Sequence, residues 1–327
     1  PLGLNIFDPR SEEPEIYAYF LSGLLSEIVR SASEGFSPQM ERIVTAAIHD
    51  VILDVNKRSP LFFLHKILDL CDELSEEIPS AKFSLHAILN RLKSIFSGVA
   101  REVFWVRKTN INVNALVEKD IVFDLSYFSA KEPTKKALWI LVNVLLRYLY
   151  SEIIGNYELA SEVPRIFIIL EEARYVAPAL KKEDTSHMYA AEDLVVLGRK
   201  YGISLCFITQ SASSISRDVI DNAGTIFMMG DAPFEIIREA LSRDDTKYLQ
   251  IMPAREALVK MSTRSILTHI KLSDISSVMR STVRIQSDAT LLREILENYE
   301  PISIPYEKFI LKLISREITP SSLSGEI

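Results

Sequence analysis

Two adjacent carboxylates, Glu171 and Glu172, follow directly on the apolar run Ile166-Phe-Ile-Ile-Leu170. Such a run reads as a buried strand, and acids just past it stand where a parallel strand leaves its sheet. Open α/β sheets bind their ligands at that carboxyl-terminal edge. One carboxylate there can hold a magnesium-bound water, and the next can orient or deprotonate a water attacking a γ-phosphate. Strands also end in charge simply because the chain is leaving the core, so the pair gains meaning only from companions. Gln210 is one, closing the run Ile203-Ser-Leu-Cys-Phe-Ile-Thr209. An amide on the tip of a neighbouring strand can sense a γ-phosphate or place the water. Alternatively it opens a turn before Ser211, Ser213 and Ser214, which could cap the next helix. The third feature is Gly198-Arg-Lys-Tyr-Gly202. The Arg199 guanidinium at a subunit edge could reach a neighbour's nucleotide and stabilise transition-state charge. The competing structural role is a helix that ends in basic residues with Gly202 as its left-handed cap.

Other chemistry has little support in the sequence. The histidines, His49, His65, His86, His187 and His269, are scattered, and none pairs at metal-ligand spacing. Cys71 and Cys206 match no zinc or redox spacing, which points to a reducing, intracellular compartment. No Ser-His-Asp or Cys-His arrangement can be inferred. The phosphate-cradling pattern G-x-x-x-x-G-K-[ST] does not occur in the chain.

The elements that must carry these groups follow from apolar periodicity. Pro14, behind Glu12 and Glu13 and ahead of Glu15, suits a helix start, and Ile16, Phe20, Leu24 and Ile28 share one face. Met40, Ile43, Val44, Ala47, Ile48, Val51, Ile52 and Val55 form a second stripe. Ser59-Pro60 predicts a capped helix through Cys71, and Ser84 is expected to open another through Ile95. Residues 2–9 read as a strand end leading into a turn. The run 120–125 (DIVFDL) reads as a strand, followed by a helix over 135–154, and strands are expected at 165–170, 203–209, 225–229, 257–261 and 266–271. Helices are expected at 190–200, briefly after Gln210, and from Phe234. Alternating strands and helices define an α/β fold with a mostly parallel sheet, antiparallel strands at one edge, and continuous apolar strands covered on both faces. A further helix is expected near 289–298, and the polar tail 321–327 is expected to be disordered. Four segments result: the start of the core at 1–34, an all-helical insertion at 35–102, the α/β core at 103–275 and a C-terminal extension at 276–327.

Bulk composition sets limits. With 327 residues, 48% hydrophobic and 25% charged, the chain can bury a core without disulfide or metal staples. Plentiful Ile, Glu, Lys and Arg with few Cys suit a thermophilic source. The most apolar helix candidate is interrupted by Asn143, Arg147 and Glu152, so no membrane span is expected. A net charge of −7 and a pI of about 5.5 argue against a surface coated for nucleic acid, while leaving room for a basic channel inside a ring. The chain opens at Pro1 without a Met, and sequence upstream is expected to be missing.

Taken together, an acidic strand end, a helix closing in Gly-Arg-Lys-Tyr-Gly and an apolar strand closing in Gln resemble the HerA/FtsK branch of P-loop ATPases, HerA most closely. The opening Gly3-Leu-Asn-Ile-Phe-Asp-Pro9 looks like that family's segment after its second core strand, and 120–126 (DIVFDLS) like the strand before its Walker B strand. Asn222-Ala-Gly-Thr225 is similar to the stretch after its sensor strand. The likeness spans about 117–271 plus the first dozen residues. It implies a RecA-like core, with Glu171 at the magnesium-water position, Glu172 as catalytic base, Gln210 as sensor and Arg199 as arginine finger. Lys200 joins Glu171 among the residues that would face the nucleotide. The departures are the absent phosphate loop, which family members carry upstream of the segment at Pro1, Glu instead of the commoner Asp at 171, and Met228-Met-Gly-Asp231 where the family often has an arginine.

The resemblance implies the C-terminal part of an archaeal, cytoplasmic, ATP- and magnesium-dependent DNA translocase or helicase acting in DNA repair. It would be a hexameric ring around double-stranded DNA, with a partner nuclease for end processing. A conjugation or secretion ATPase resembling VirB4 is the second reading, and a non-hydrolysing assembly or regulatory module the third. The isolated chain is expected to hydrolyse ATP weakly or not at all, because its acids lack the loop whose N–H groups and Lys hold the phosphates.

Overall fold

A computed structural model describes residues 2–30, 38–78, 81–112, 119–125, 136–156, 166–177, 179, 190–211, 214–229, 255–261, 264–271, 289–319 and 322–323. The chain forms two compact units. The first comprises Pro1–Glu158, Thr185–Ala190 and Ala289–Ile327, and the second Leu159–Asp184 and Ala191–Asp288.

The first unit is helical. α1 (Pro14–Arg30), α2 (Pro38–Leu53), α3 (Pro60–Glu77) and α4 (Ala81–Phe96) are followed by the single turn α5 (Arg101–Phe104) and the long α6 (Lys136–Asn156). α4 is the hub, packing against α1, α2, α3, α5 and α6. Its Ile88, Leu92, Ile95 and Phe96 are fully buried, the stripe that the helical period demands. The Ser59 hydroxyl accepts from the Phe62 N–H and Pro60 occupies the first turn of α3, so the expected cap is present. Ser84 does not open α4. The helix starts at Ala81, whose N–H donates to the Ile78 carbonyl, because Ala81 and Lys82, ahead of Phe83 and Ser84, favour the helical state.

The chain's opening lies inside this unit. Leu4, Ile6 and Phe7 are fully buried. Their backbone is held by side chains from elsewhere: Asn110 accepts from the Gly3 N–H at 2.7 Å, and the Tyr148 hydroxyl donates to the Asp8 carbonyl at 2.6 Å. A turn at Ile6-Phe7 is present, but residues 2–5 form no strand; these polar side chains satisfy backbone groups that a ladder would otherwise pair. Glu12, just ahead of α1, forms a buried ion pair with Arg147 of α6, whose Nε lies 2.9 Å from Oε2. The Arg147 guanidinium also lies over the Phe20 ring at 5.2 Å.

The C-terminal segment belongs here too. α9 (Ala289–Glu297) was expected, whereas α10 (Tyr306–Ile314) was not and packs on α3 and α4. Trp105 stacks edge-on against Tyr306 at 5.7 Å and Phe309 at 5.8 Å, and its indole N–H donates to the Ile304 carbonyl. Within α6, Ala137–Ile154 is long and apolar enough to cross a membrane, yet 67% of it is buried inside the protein.

One expected strand is absent. Residues 120–125 are neither strand nor helix, and Val122 is 74% exposed. They have no ladder partner among the described residues, and β-propensity alone does not hold an extended run.

The second unit carries the sheet strands. β1 (Ile166–Leu170) pairs in parallel with β2 (Ile203–Phe207), Ile166 opposite Ile203 and Leu170 opposite Phe207. Parallel strands require a crossover, and α7 (Ala190–Leu197) lies within it. β3 (Thr225–Met229), β4 (Glu256–Met261) and β5 (Arg264–Lys271) form an antiparallel sheet in that order, the expected antiparallel strands. The short α8 (Arg217–Asp221) precedes β3. The expected covering of both faces holds for β4, where Ala257, Leu258 and Val259 are buried in succession, and not for β1. Burial alternates along β1, with Phe167 62% and Ile169 59% exposed, because successive side chains point to opposite faces and only one of these is packed. The helix expected from Phe234 lies outside the described residues, as does most of the tail after 319.

Candidate functional site

The tips of β1 and β2 are joined beyond the strands themselves. The Ile208 N–H donates to the Leu170 carbonyl at 2.9 Å, and the Ala173 N–H donates to the Ile208 carbonyl at 3.0 Å. Further out, the Ala179 N–H donates to Ser214 and the Ser216 N–H to Ala177. The two loops leaving the sheet are thereby zipped into one platform, with Ala173 and Ala177 fully buried beneath it.

Glu171 and Glu172 sit on this platform at the carboxyl-terminal end of β1. Glu171 is exposed. Glu172 adopts a left-handed backbone, φ 51° and ψ 48°, just before the 3-10 turn Ala173–Tyr175. A non-glycine residue in that region costs roughly 1–3 kcal/mol and persists where its surroundings over-determine it. Here they do so from both sides. Gln210, past the end of β2, donates from Nε2 to Glu172 Oε1 at 3.1 Å. Arg174 brings Nε to 3.2 Å from Glu172 Oε2, an ion pair without the alignment of a hydrogen bond. Oε2 is shielded from solvent, although the Glu172 side chain as a whole is 37% exposed.

Arg199 and Lys200 are elsewhere. Both are exposed in the 3-10 turn Gly198–Tyr201, before the start of β2, while Gln210 lies past its end. Five residues of strand separate the two ends, about 17 Å at roughly 3.3 Å per residue. The structure therefore brings Glu171, Glu172 and Gln210 to one sheet edge and leaves Arg199 and Lys200 at the opposite one. Lys200 does not share an edge with Glu171, because the turn that carries it precedes β2. The local fold of the turn follows its glycines. Gly202 takes φ 75°, and a Cβ on Gly198 would come within 3.2 Å of Ile203. Ser214 does not cap α8: its hydroxyl donates to the Ser211 carbonyl, and α8 starts at Arg217 behind Ser216, which makes no side-chain cap, while Ser213 lies outside the described residues.

Arg174 escaped the sequence reading. An arginine two residues past an acidic strand end matches no periodic pattern, and only the left-handed turn at Glu172 folds it back onto the carboxylate.

The donor set fits a magnesium nucleotide in part. An exposed carboxylate at a strand tip suits a hard cation that keeps most of its waters, while Glu172 Oε2 is shielded from solvent beside Arg174. No group of three or more His, Cys, Asp or Glu side chains able to hold a metal is found among the described residues.

The helices with a parallel strand pair and acids at its carboxyl-terminal edge define an α/β protein of the RecA-like fold. No protein-family model and no curated protein matches the sequence. Among solved structures, the chain is similar to VirB4 of Thermoanaerobacter pseudethanolicus, with a TM-score of 0.56 and 15% identity over 81% of this chain and 71% of that one. It is also similar to the bacterial conjugative coupling protein TrwBΔN70, with a TM-score of 0.54 and 11% identity over 83% and 71% of the two chains. The genome packaging NTPase B204 from Sulfolobus turreted icosahedral virus 2 aligns over 49% of this chain and 73% of its own, at 16% identity and a TM-score of 0.33, too low to support an argument.

Proposed function

We propose that this chain is the C-terminal part of the ATP-hydrolysing core of a HerA-like DNA translocase, its phosphate loop supplied by sequence upstream of Pro1. The observation that carries this reading is the Gln210–Glu172 hydrogen bond on the shared edge of two parallel strands. It joins an acid and an amide distant in sequence at the position where open α/β sheets bind ligands.

In this reading the Glu172 carboxylate accepts a proton from the attacking water, and the Gln210 amide holds that carboxylate while sensing the γ-phosphate. Glu171 would hold a water of the magnesium ion, which supplies charge neutralisation at the phosphates. Arg199, at the far edge of the sheet, acts on the nucleotide of a neighbouring subunit in a hexameric ring, which accounts for its distance from Glu172 in its own chain. Lys200 lies beside it and would serve the same neighbouring nucleotide. Double-stranded DNA passes through the ring, with a nuclease as partner, and the motor works in the cytoplasm of an archaeal cell.

The likeness to VirB4 and to a conjugative coupling protein favours a second reading, a conjugation or secretion motor. A third reading, a non-hydrolysing assembly module, holds only if the natural protein as a whole lacks a G-x-x-x-x-G-K-[ST] loop. Turnover separates them. The natural protein, expressed from its complete reading frame, should hydrolyse ATP faster with double-stranded DNA. Glu172→Gln should lower kcat by about 10²–10⁴-fold, the range of a lost general base. ATP turnover stimulated by membranes or channel proteins but indifferent to DNA would point to the second reading. A complete reading frame without a phosphate loop, and no turnover, would establish the third.

A further inference from the structure

Glu172 is gripped at both oxygens by different residues, and only one of these belongs to the strand-tip constellation. Gln210 takes Oε1 at 3.1 Å, whereas Arg174 approaches Oε2 at 3.2 Å. A single donor leaves a carboxylate free to turn about its side-chain torsions. A hydrogen bond at one oxygen and an ion pair at the other restrict its plane, and with it the direction in which its lone pairs face. Arg174 can do this because Glu172 turns left-handed and the 3-10 turn Ala173–Tyr175 brings the guanidinium back over the acid. That turn is anchored to β2 by the Ala173–Ile208 backbone bond.

We propose that Arg174 is a positioning residue that sets the orientation of the Glu172 carboxylate. The contact rests on geometry alone, while its consequence for turnover rests on the ATPase reading above. The Arg174 side chain is 44% exposed, so its loss should leave folding intact.

Two measurements test the assignment. In this chain, labelled with ¹³C and ¹⁵N, Arg174→Ala is expected to shift both the Glu172 carboxyl carbon and the Gln210 side-chain amide resonances, with an unchanged melting temperature. In the natural protein the same change is expected to lower kcat about tenfold and to leave the KM for ATP within about twofold, with Arg174→Lys recovering part of the loss. Unmoved resonances would overturn the proposal. So would a raised KM at unchanged kcat, which would make Arg174 a phosphate ligand instead. Glu172→Gln, measured in parallel, keeps the two readings apart. If that variant turns over like the wild type, or the wild type has no turnover, the ATPase reading fails and the resonances alone decide the Arg174 contact. If Glu172→Gln is dead while Arg174→Ala matches the wild type, only the Arg174 assignment falls.

Discussion

Glu172 combines a left-handed backbone with side-chain contacts to Gln210 and Arg174. Its left-handed backbone would relax if the side chain were not held, so the Gln210 bond is both a consequence of the turn and a reason for its persistence. A hydrogen bond to a charged acceptor contributes about 1.5–3 kcal/mol. If that interaction is needed to aim the base, Gln210→Ala should reduce kcat by roughly 10–100-fold. Gln210→Glu should do at least as much damage, because two carboxylates would then face one another. Steady-state rates for the two variants check this, and a Gln210→Ala enzyme with wild-type kcat would remove Gln210 from the mechanism.

At the level of elements, the helical unit is tied together by polar contacts between segments far apart in sequence. The most consequential is Glu12–Arg147, whose side chains are 10% and 7% exposed and which joins the start of α1 to α6. Removing one partner of a buried pair leaves an uncompensated charge and costs about 3–5 kcal/mol, a large share of the roughly 5–15 kcal/mol that stabilises a domain. Glu12→Ala should therefore lower the urea midpoint sharply. Replacing both residues with apolar ones of similar volume, Glu12→Leu with Arg147→Met, should recover much of the loss. Chemical denaturation of the two variants makes the comparison, and equal stability of Glu12→Ala and wild type would show the pair to be unimportant.

Across the whole molecule, the helical unit contains a set of buried phenols that link stability to alkaline pH. Burial first, then mutual repulsion between their ionised forms, raises the Tyr17 hydroxyl well above its ordinary range. Burial likewise raises Tyr148 and Tyr306. In the folded state these groups stay protonated, whereas in the unfolded chain they ionise near pH 10. The unfolded state then binds fewer protons, so stability is at its full value below about pH 10 and falls as pH rises beyond it. Thermal melts of Tyr17→Phe and wild type should show the variant losing less stability between about pH 9 and pH 11. Parallel slopes would exclude Tyr17 as a contributor.

Local pattern by itself determined α1, α2, α3, α4, α6 and α9 of the first unit and all five strands of the second, because a 3.6-residue apolar stripe and a short β-branched run need only their own side chains to be recognised. It also named Glu171, Glu172 and Gln210 as strand-tip residues. Only the tertiary structure decided what met what. The parallel register placed Gln210 against Glu172, and the left-handed turn brought Arg174 to the same carboxylate. β2 carried Arg199 and Lys200 to the far edge of the sheet. Residues 120–125 look like a strand in isolation and are not one, since a strand exists only through its partner. The stripe Tyr306, Phe309 and Leu313 of α10 stands at helical spacing within its own segment, and only its docking against Trp105 and α4, about two hundred positions away, needed the tertiary structure.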